Sequence, residues 1–205
     1  ADFQKGGFSS EDSIQVAKLF SDSGIDNIEI SGGTYEQPRL LGLDKVSINP
    51  KRSENRKEST IAREAYFLSY AEEIAKVVNI PLMVTGGFRT KEGMEAALAD
   101  GACEIVGVGR PLCANPYAIK ELLAGKIDEL PKYEKTLSIG PWWLSPTSPF
   151  RLIQAINAFS AQAWFYQQIK KMGKGLMPDL NLKPWKAFRE DAKADQEAIK
   201  EYQKI

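Results

Sequence analysis

Histidine is missing from this 205-residue sequence. Its absence removes ordinary zinc chemistry, Ser-His-Asp and Cys-His nucleophilic machinery, and imidazole acid–base work. Cysteine is scarce: Cys103 and Cys113 are too few for a disulfide framework and are read as reduced thiols. Neither sign of charge is in excess, since 27 basic residues balance 27 acidic ones. A protein that neutralises nucleic-acid phosphates or an anionic membrane surface carries a basic surplus, so both partner classes are set aside. No apolar run approaches the roughly 18 residues that span a bilayer. The N-terminus, Ala1-Asp2-Phe3-Gln4-Lys5, has neither an initiator Met nor a signal-peptide pattern. The expectation is a cytoplasmic protein whose chain begins part-way through a longer one.

What is present is an alternation of helices and strands. Ser9-Ser10-Glu11-Asp12 offers capping residues for a helix carrying Ile14, Val16, Ala17, Leu19 and Phe20, which Gly24 stops. Residues 27–31 form a strand leading into Gly32-Gly33. Residues 34–59, with Pro38, Gly42 and Pro50, lack periodicity and read as a long loop. A helix from about 60 to 78 places Phe67, Ala71, Ile74, Ala75 and Val78 on one face. Pro81-Leu82-Met83-Val84 is a continuous apolar strand of the parallel type, ending in Thr85-Gly86-Gly87. Thr90 caps the next helix, which ends at Gly101. Glu104-Ile105-Val106-Gly107-Val108 is the next strand, and Gly109-Arg110 follows it. Asn115 as cap and Pro116 at the first helical position open a further helix closed by Gly125. Such alternation predicts a parallel α/β sheet. Beyond Gly125 lie a proline-rich connector, a helix from Phe150 to Met172, and a charged helix from Ala187 to Lys204.

Every strand exits into glycine, and ligands of parallel α/β folds sit at those carboxyl ends. Glycine lets backbone N–H groups approach an anion, and a following helix N-terminus adds its positive end. The loops 84–90 and 106–112 both meet these terms, and Arg110 adds a planar guanidinium suited to phosphate. Many (β/α)8 barrels build a phosphate site from the loops after strands seven and eight plus a short helix, which 111–114 would supply. A tight turn is the plainer reading of a single Gly-Gly, but two such exits on consecutive strands favour phosphate. No Gly-x-Gly-x-x-Gly fingerprint supports a Rossmann fold.

The stretches Arg63-Glu64-Ala65-Tyr66-Phe67, Ile80-Pro81-Leu82-Met83-Val84-Thr85-Gly86-Gly87-Phe88-Arg89-Thr90 and Gly107-Val108-Gly109-Arg110-Pro111-Leu112 resemble the Old Yellow Enzyme family of NADH:flavin oxidoreductases. The likeness runs from Ala1 to about Tyr133. Ala163-Trp164-Phe165-Tyr166-Gln167-Gln168 with Met172-Gly173-Lys174-Gly175 resembles the C-terminal extension of one subgroup. The resemblance implies an α/β fold: the C-terminal part of a (β/α)8 TIM barrel, about three βα units over 1–133, with a helical extension over 134–205. It implies that the phosphate is that of FMN, held by Gly86, Gly87, Gly109 and Arg110, with Ser31 and Gly32 ending the sixth strand near the cofactor. Tyr35 would approach a substrate. The implied reaction passes hydride from NAD(P)H through FMN to an electron-poor alkene or related small-molecule acceptor.

The family places its substrate-orienting His pair (or His-Asn) and its proton-donating Tyr ahead of the matched region. A full barrel needs about 250 residues. Catalytic residues are therefore expected in a missing N-terminal half, and this chain alone is expected to be inactive. Its expected partners are that half or further copies of itself, and no metal is expected. Two other readings stand beside this one. The first is a flavin-free phosphate-binding barrel of the sugar-phosphate isomerase or cyclase type. The second is a non-catalytic half-barrel acting as an interaction module, whose open sheet invites self-association.

Remaining candidates take plainer roles. Cys113 is read as a small buried residue rather than an activated thiol. Glu72-Glu73 and Glu11-Asp12 are read as solvated or capping acids. Lys51, Arg52, Arg56 and Lys57 form a basic loop cluster, read as solvated rather than as a site for NAD(P)H phosphates. The helix around Trp164-Phe165-Tyr166 is expected to pack on the barrel exterior or another subunit. Trp142-Trp143 is expected to pin the connector to the domain.

Overall fold

A computed structural model describes residues 9–31 and 67–203. At its first helix, α1 (Ser10–Asp22), the Ser9 side chain accepts from the Asp12 N–H and the Asp12 carboxylate accepts from the Ser9 N–H. This reciprocal cap satisfies donors that the helix leaves open. It also holds the Asp12 carboxyl below the usual carboxylate range. Gly24, at φ +80°, turns the chain into β1 (Ile28–Ile30).

Three strands, β1, β2 (Leu82–Thr85) and β3 (Ile105–Gly107), form a parallel sheet in that spatial order. Ile30 lies beside Val84, and Val84 beside Val106. Side chains alternate across a sheet, so Ile28, Ile30, Leu82, Val84 and Val106 share one face. That face packs with Ala17 of α1, with Leu68, Ala71 and Ile74 of α2 (Leu68–Ala75), and with Ala97 of α3 (Lys91–Ala99). On the other face Glu29 and Ile105 are exposed and Met83 and Thr85 are half-buried. The expected α/β class with parallel strands is thus what these residues adopt.

The chain divides into two units. The first holds the sheet, helices α1 to α3, and Tyr117–Pro131 with helix α5 (Ala118–Leu123). The second comprises Arg110–Pro116, with the short helix α4 (Arg110–Ala114), and residues 132–203.

In the second unit α6 (Arg151–Gly173) packs against α7 (Pro184–Tyr202). The buried face of α6 is unusually polar. Asn157 accepts from the Ile139 N–H and donates to the Leu144 carbonyl. Gln168 accepts from the Asp179 N–H and donates to the Asp179 carbonyl. Between them the Trp164 indole N–H donates to the Leu182 carbonyl at 2.9 Å. Side chains thus fasten two irregular segments whose backbone groups lack a ladder of their own. Trp164 and Phe165, expected to pack on the barrel exterior or another subunit, are buried within this unit beside Leu137 and Ala187.

Two local expectations need correcting. Asn115-Pro116 does not begin a helix: the Asn115 N–H closes α4 onto the Pro111 carbonyl, and α5 starts after Tyr117. Proline preset for the first helical turn instead serves α7, at Pro184. Trp142 pins nothing, being 88% exposed on a backbone at φ +49°, and Trp143 is also exposed. Among the described residues no helix is long and apolar enough to cross a membrane.

Candidate functional site

The carboxyl ends of the three strands lie side by side, because Ile30 pairs with Val84 and Thr85 with Gly107. Neighbouring strands run about 4.8 Å apart, so Ser31, Gly86 and Val108 each leave the sheet at one edge of the first unit. Ser31 is exposed there. Gly32 and Tyr35, and the basic cluster of Lys51, Arg52, Arg56 and Lys57, lie outside the described residues.

Gly86 and Gly87 take φ +129° and +92°, backbone conformations that a residue with a Cβ resists. The loop then passes Phe88, almost wholly buried, and Arg89, which is 6% exposed and whose guanidinium donates to the Phe88 carbonyl at 2.7 Å. The Arg89 carbonyl in turn accepts from the Leu130 N–H. A buried cation and a buried ring thus follow the glycine turn directly. Thr90 caps α3 by accepting from the Gly93 N–H at 3.1 Å, as expected.

The second glycine exit works differently. Gly107 is buried, and a Cβ placed on it would run into the Thr85 side chain and come within 2.7 Å of Met83 Cε. Glycine at 107 therefore serves close packing of β3 against β2. Gly109 is exposed, and a Cβ there would meet nothing within 4 Å. Space above Gly109 is what an approaching ligand needs.

Arg110 belongs to the second unit, and Nη1 of its guanidinium lies 3.6 Å from Glu134 Oε1, both side chains being largely buried. Cys113, three residues on, is half-buried. Burial pushes its thiol up from the ordinary value, the reverse of what an activated nucleophile requires. Cys103 is buried, and its thiol is also raised by burial. Glu73 is exposed and pairs with Lys76, a solvated arrangement as read from the sequence. Among the described residues no group of acidic or sulfur side chains could hold a metal ion.

Two features of this site carry no local sequence pattern. Nothing in a linear reading marks Arg89 as a buried arginine. Thr85 reads in the sequence only as the residue before two glycines, yet its Oγ1 is shielded from solvent without a hydrogen-bond partner.

The known proteins most informative for this arrangement are flavoenzymes. An NADH-dependent flavin oxidoreductase (iliE) of Hypocrea jecorina is 41% identical over 114 residues, 55% of this chain and 26% of its own length. This chain is a relative of the NADH-dependent flavin oxidoreductases. A second such oxidoreductase, iccE of Talaromyces variabilis, is 32% identical over 166 residues, 78% of this chain and 37% of its own. The NADH oxidase of Thermoanaerobacter brockii is 31% identical over 171 residues, 83% of this chain and 24% of its own. The resemblance read from the glycine loops therefore holds at the level of NADH:flavin oxidoreductases. This chain spans between a quarter and two fifths of the length of these three relatives. No protein-family model matches it.

Proposed function

We propose that this chain is the flavin-binding C-terminal part of an FMN-dependent NAD(P)H oxidoreductase built on a (β/α)8 barrel, of which the three βα units described here are one portion. The observation that carries the reading is the pair of glycine exits on adjacent parallel strands, Gly86-Gly87 and Gly109, at the end of the sheet where such folds bind phosphates. The residues fit an anionic, hydroxylated tail. The Gly86-Gly87 turn ends β2 at positive φ, Gly109 is exposed beyond β3, and the N-terminal end of α3 follows the first turn.

In this reading Gly86, Gly87 and the Gly109–Arg110 peptide hold the FMN phosphate, and Ser31 and Gly32 end the neighbouring strand beside the cofactor. Tyr35 approaches a small-molecule substrate. When bound, the flavin supplies hydride exchange between NAD(P)H and an electron-poor alkene or related acceptor. The chain's own residues bind and orient the cofactor. The groups that orient substrate and donate a proton belong to the preceding half of the barrel. This chain alone binds FMN weakly and does not turn over. Its partners are that half or a second copy.

Titration of the chain with FMN, followed by flavin fluorescence and thermal shift, tests the reading. The expected result is saturable quenching and a raised Tm, with no oxidation of NADH until the preceding half is supplied. A Tm raised by a sugar bisphosphate and not by FMN would replace it with the flavin-free phosphate-binding reading.

A further inference from the structure

We propose that the Thr85 hydroxyl is a further binding group for the ribityl-phosphate tail of the flavin. The inference rests on the flavin reading above, and its test separates the two.

Thr85 is the last residue of β2 and lies on the face opposite the helix-packed core. Its Oγ1 is shielded from solvent and has no hydrogen-bond partner. An unmade hydrogen bond of this kind is destabilising, whereas valine has the same shape and would leave nothing unpaired. A polar group retained under that penalty is one that something else satisfies. The position narrows what that is. Thr85 directly precedes Gly86-Gly87, whose positive φ values set the first exit, and lies in register with Gly107, two residues before Gly109. Only glycine at 107 leaves room for the Thr85 side chain, since any Cβ there would collide with it. The hydroxyl is therefore seated between the two exits by the absence of a side chain on the adjoining strand. A hydroxyl donates one hydrogen bond and accepts others. It thus matches a tail that presents both phosphoryl oxygens and ribityl hydroxyls, and it has no equivalent use toward an apolar ligand.

The test uses the 205-residue chain as wild type, Thr85→Val and Thr85→Ser, titrated with FMN and with lumiflavin, which lacks the tail. The Tm of each ligand-free protein is measured alongside. Thr85→Val is expected to weaken FMN binding by roughly tenfold, about the worth of one hydrogen bond to a ligand. Lumiflavin binding should be the same for all three proteins, and Thr85→Ser should retain wild-type affinity for FMN. The ligand-free Tm of Thr85→Val should equal or exceed that of the wild type, because the unpaired hydroxyl is gone. Unchanged FMN binding by Thr85→Val overturns the inference while leaving the flavin reading standing. So does an equal loss toward lumiflavin, or a lowered ligand-free Tm, which would mark a purely structural role. Failure of the wild type itself to bind FMN overturns the flavin reading, and this inference with it.

Discussion

The two units of this chain are held together by different physics. In the first, an apolar sheet face meets apolar helix faces: Ile30, Leu82 and Val84 against Ala17, Leu68, Ala71 and Ala97. Such burial is nondirectional and follows the area removed from water. In the second, a long helix uses Asn157, Trp164 and Gln168 to fasten particular backbone groups of segments that have no regular structure. Directional bonds specify partners atom by atom, and each buried group left unpaired costs more than the bond returned. One unit should therefore tolerate changes of shape-matched apolar residues, whereas the other should not tolerate the loss of a single amide.

All four tryptophans lie in the second unit, so indole fluorescence reads its unfolding while circular dichroism reads both. The largest effect should come from Trp164→Ala, which removes a buried indole and its bond to Leu182. A loss of about 3–5 kcal/mol is expected in denaturant titration. Next comes a matched pair. Gln168→Leu, which strands both Asp179 backbone groups, should cost roughly 2–4 kcal/mol. Leu82→Met in the first unit should cost less than about 1.5 kcal/mol. Equal losses for these two would dissolve the distinction between the units.

Gly107→Ala tests a place where the first unit is sterically exacting. Overpacking against Thr85 and Met83 should cost about 1–3 kcal/mol, and an unchanged Tm would show that β3 yields freely.

The smallest effect is a pH dependence. The Asp179 carboxyl is held below the usual range, first by its hydrogen bond from Lys171 at 3.0 Å. Its pKa is thus lower folded than unfolded. The stabilisation is complete above the unfolded value of about 3.9 and is lost as pH falls through the lower folded value. Indole-detected denaturation midpoints should hold constant from about pH 7 to 5 and decline below about 4. Lys171→Met should flatten that decline. A midpoint that begins to fall near neutrality would point to some other group.

Much of the first unit was legible in the sequence because its signals are local. Ser9 and Asp12 stand at capping-box spacing, Leu82 to Val84 form an unbroken apolar run, and Gly24 and Gly125 close helices at positive φ. The glycine exits were legible as a pattern, but their separate causes were not. Gly86 and Gly87 are needed for backbone conformation, whereas Gly107 is needed because a neighbouring strand occupies its side-chain space. The second unit hid its logic, since bonds from Asn157 to Ile139 and from Gln168 to Asp179 bridge 18 and 11 positions and leave no periodic trace. Trp142 misled for a related reason: aromatic character suggested burial, while its positive φ and exposure are properties only coordinates reveal.

The order β1-β2-β3 gives β1 and β3 one strand neighbour each among the described residues. A strand edge that stays uncovered carries a row of peptide groups able to template another strand. The rims are not equally adhesive. Glu29 puts a charge on β1, whereas Ile105-Val106-Gly107 puts none on β3. Where both edges stay uncovered in concentrated solution, growth should start from the β3 rim, and a single lysine at position 105 should blunt it.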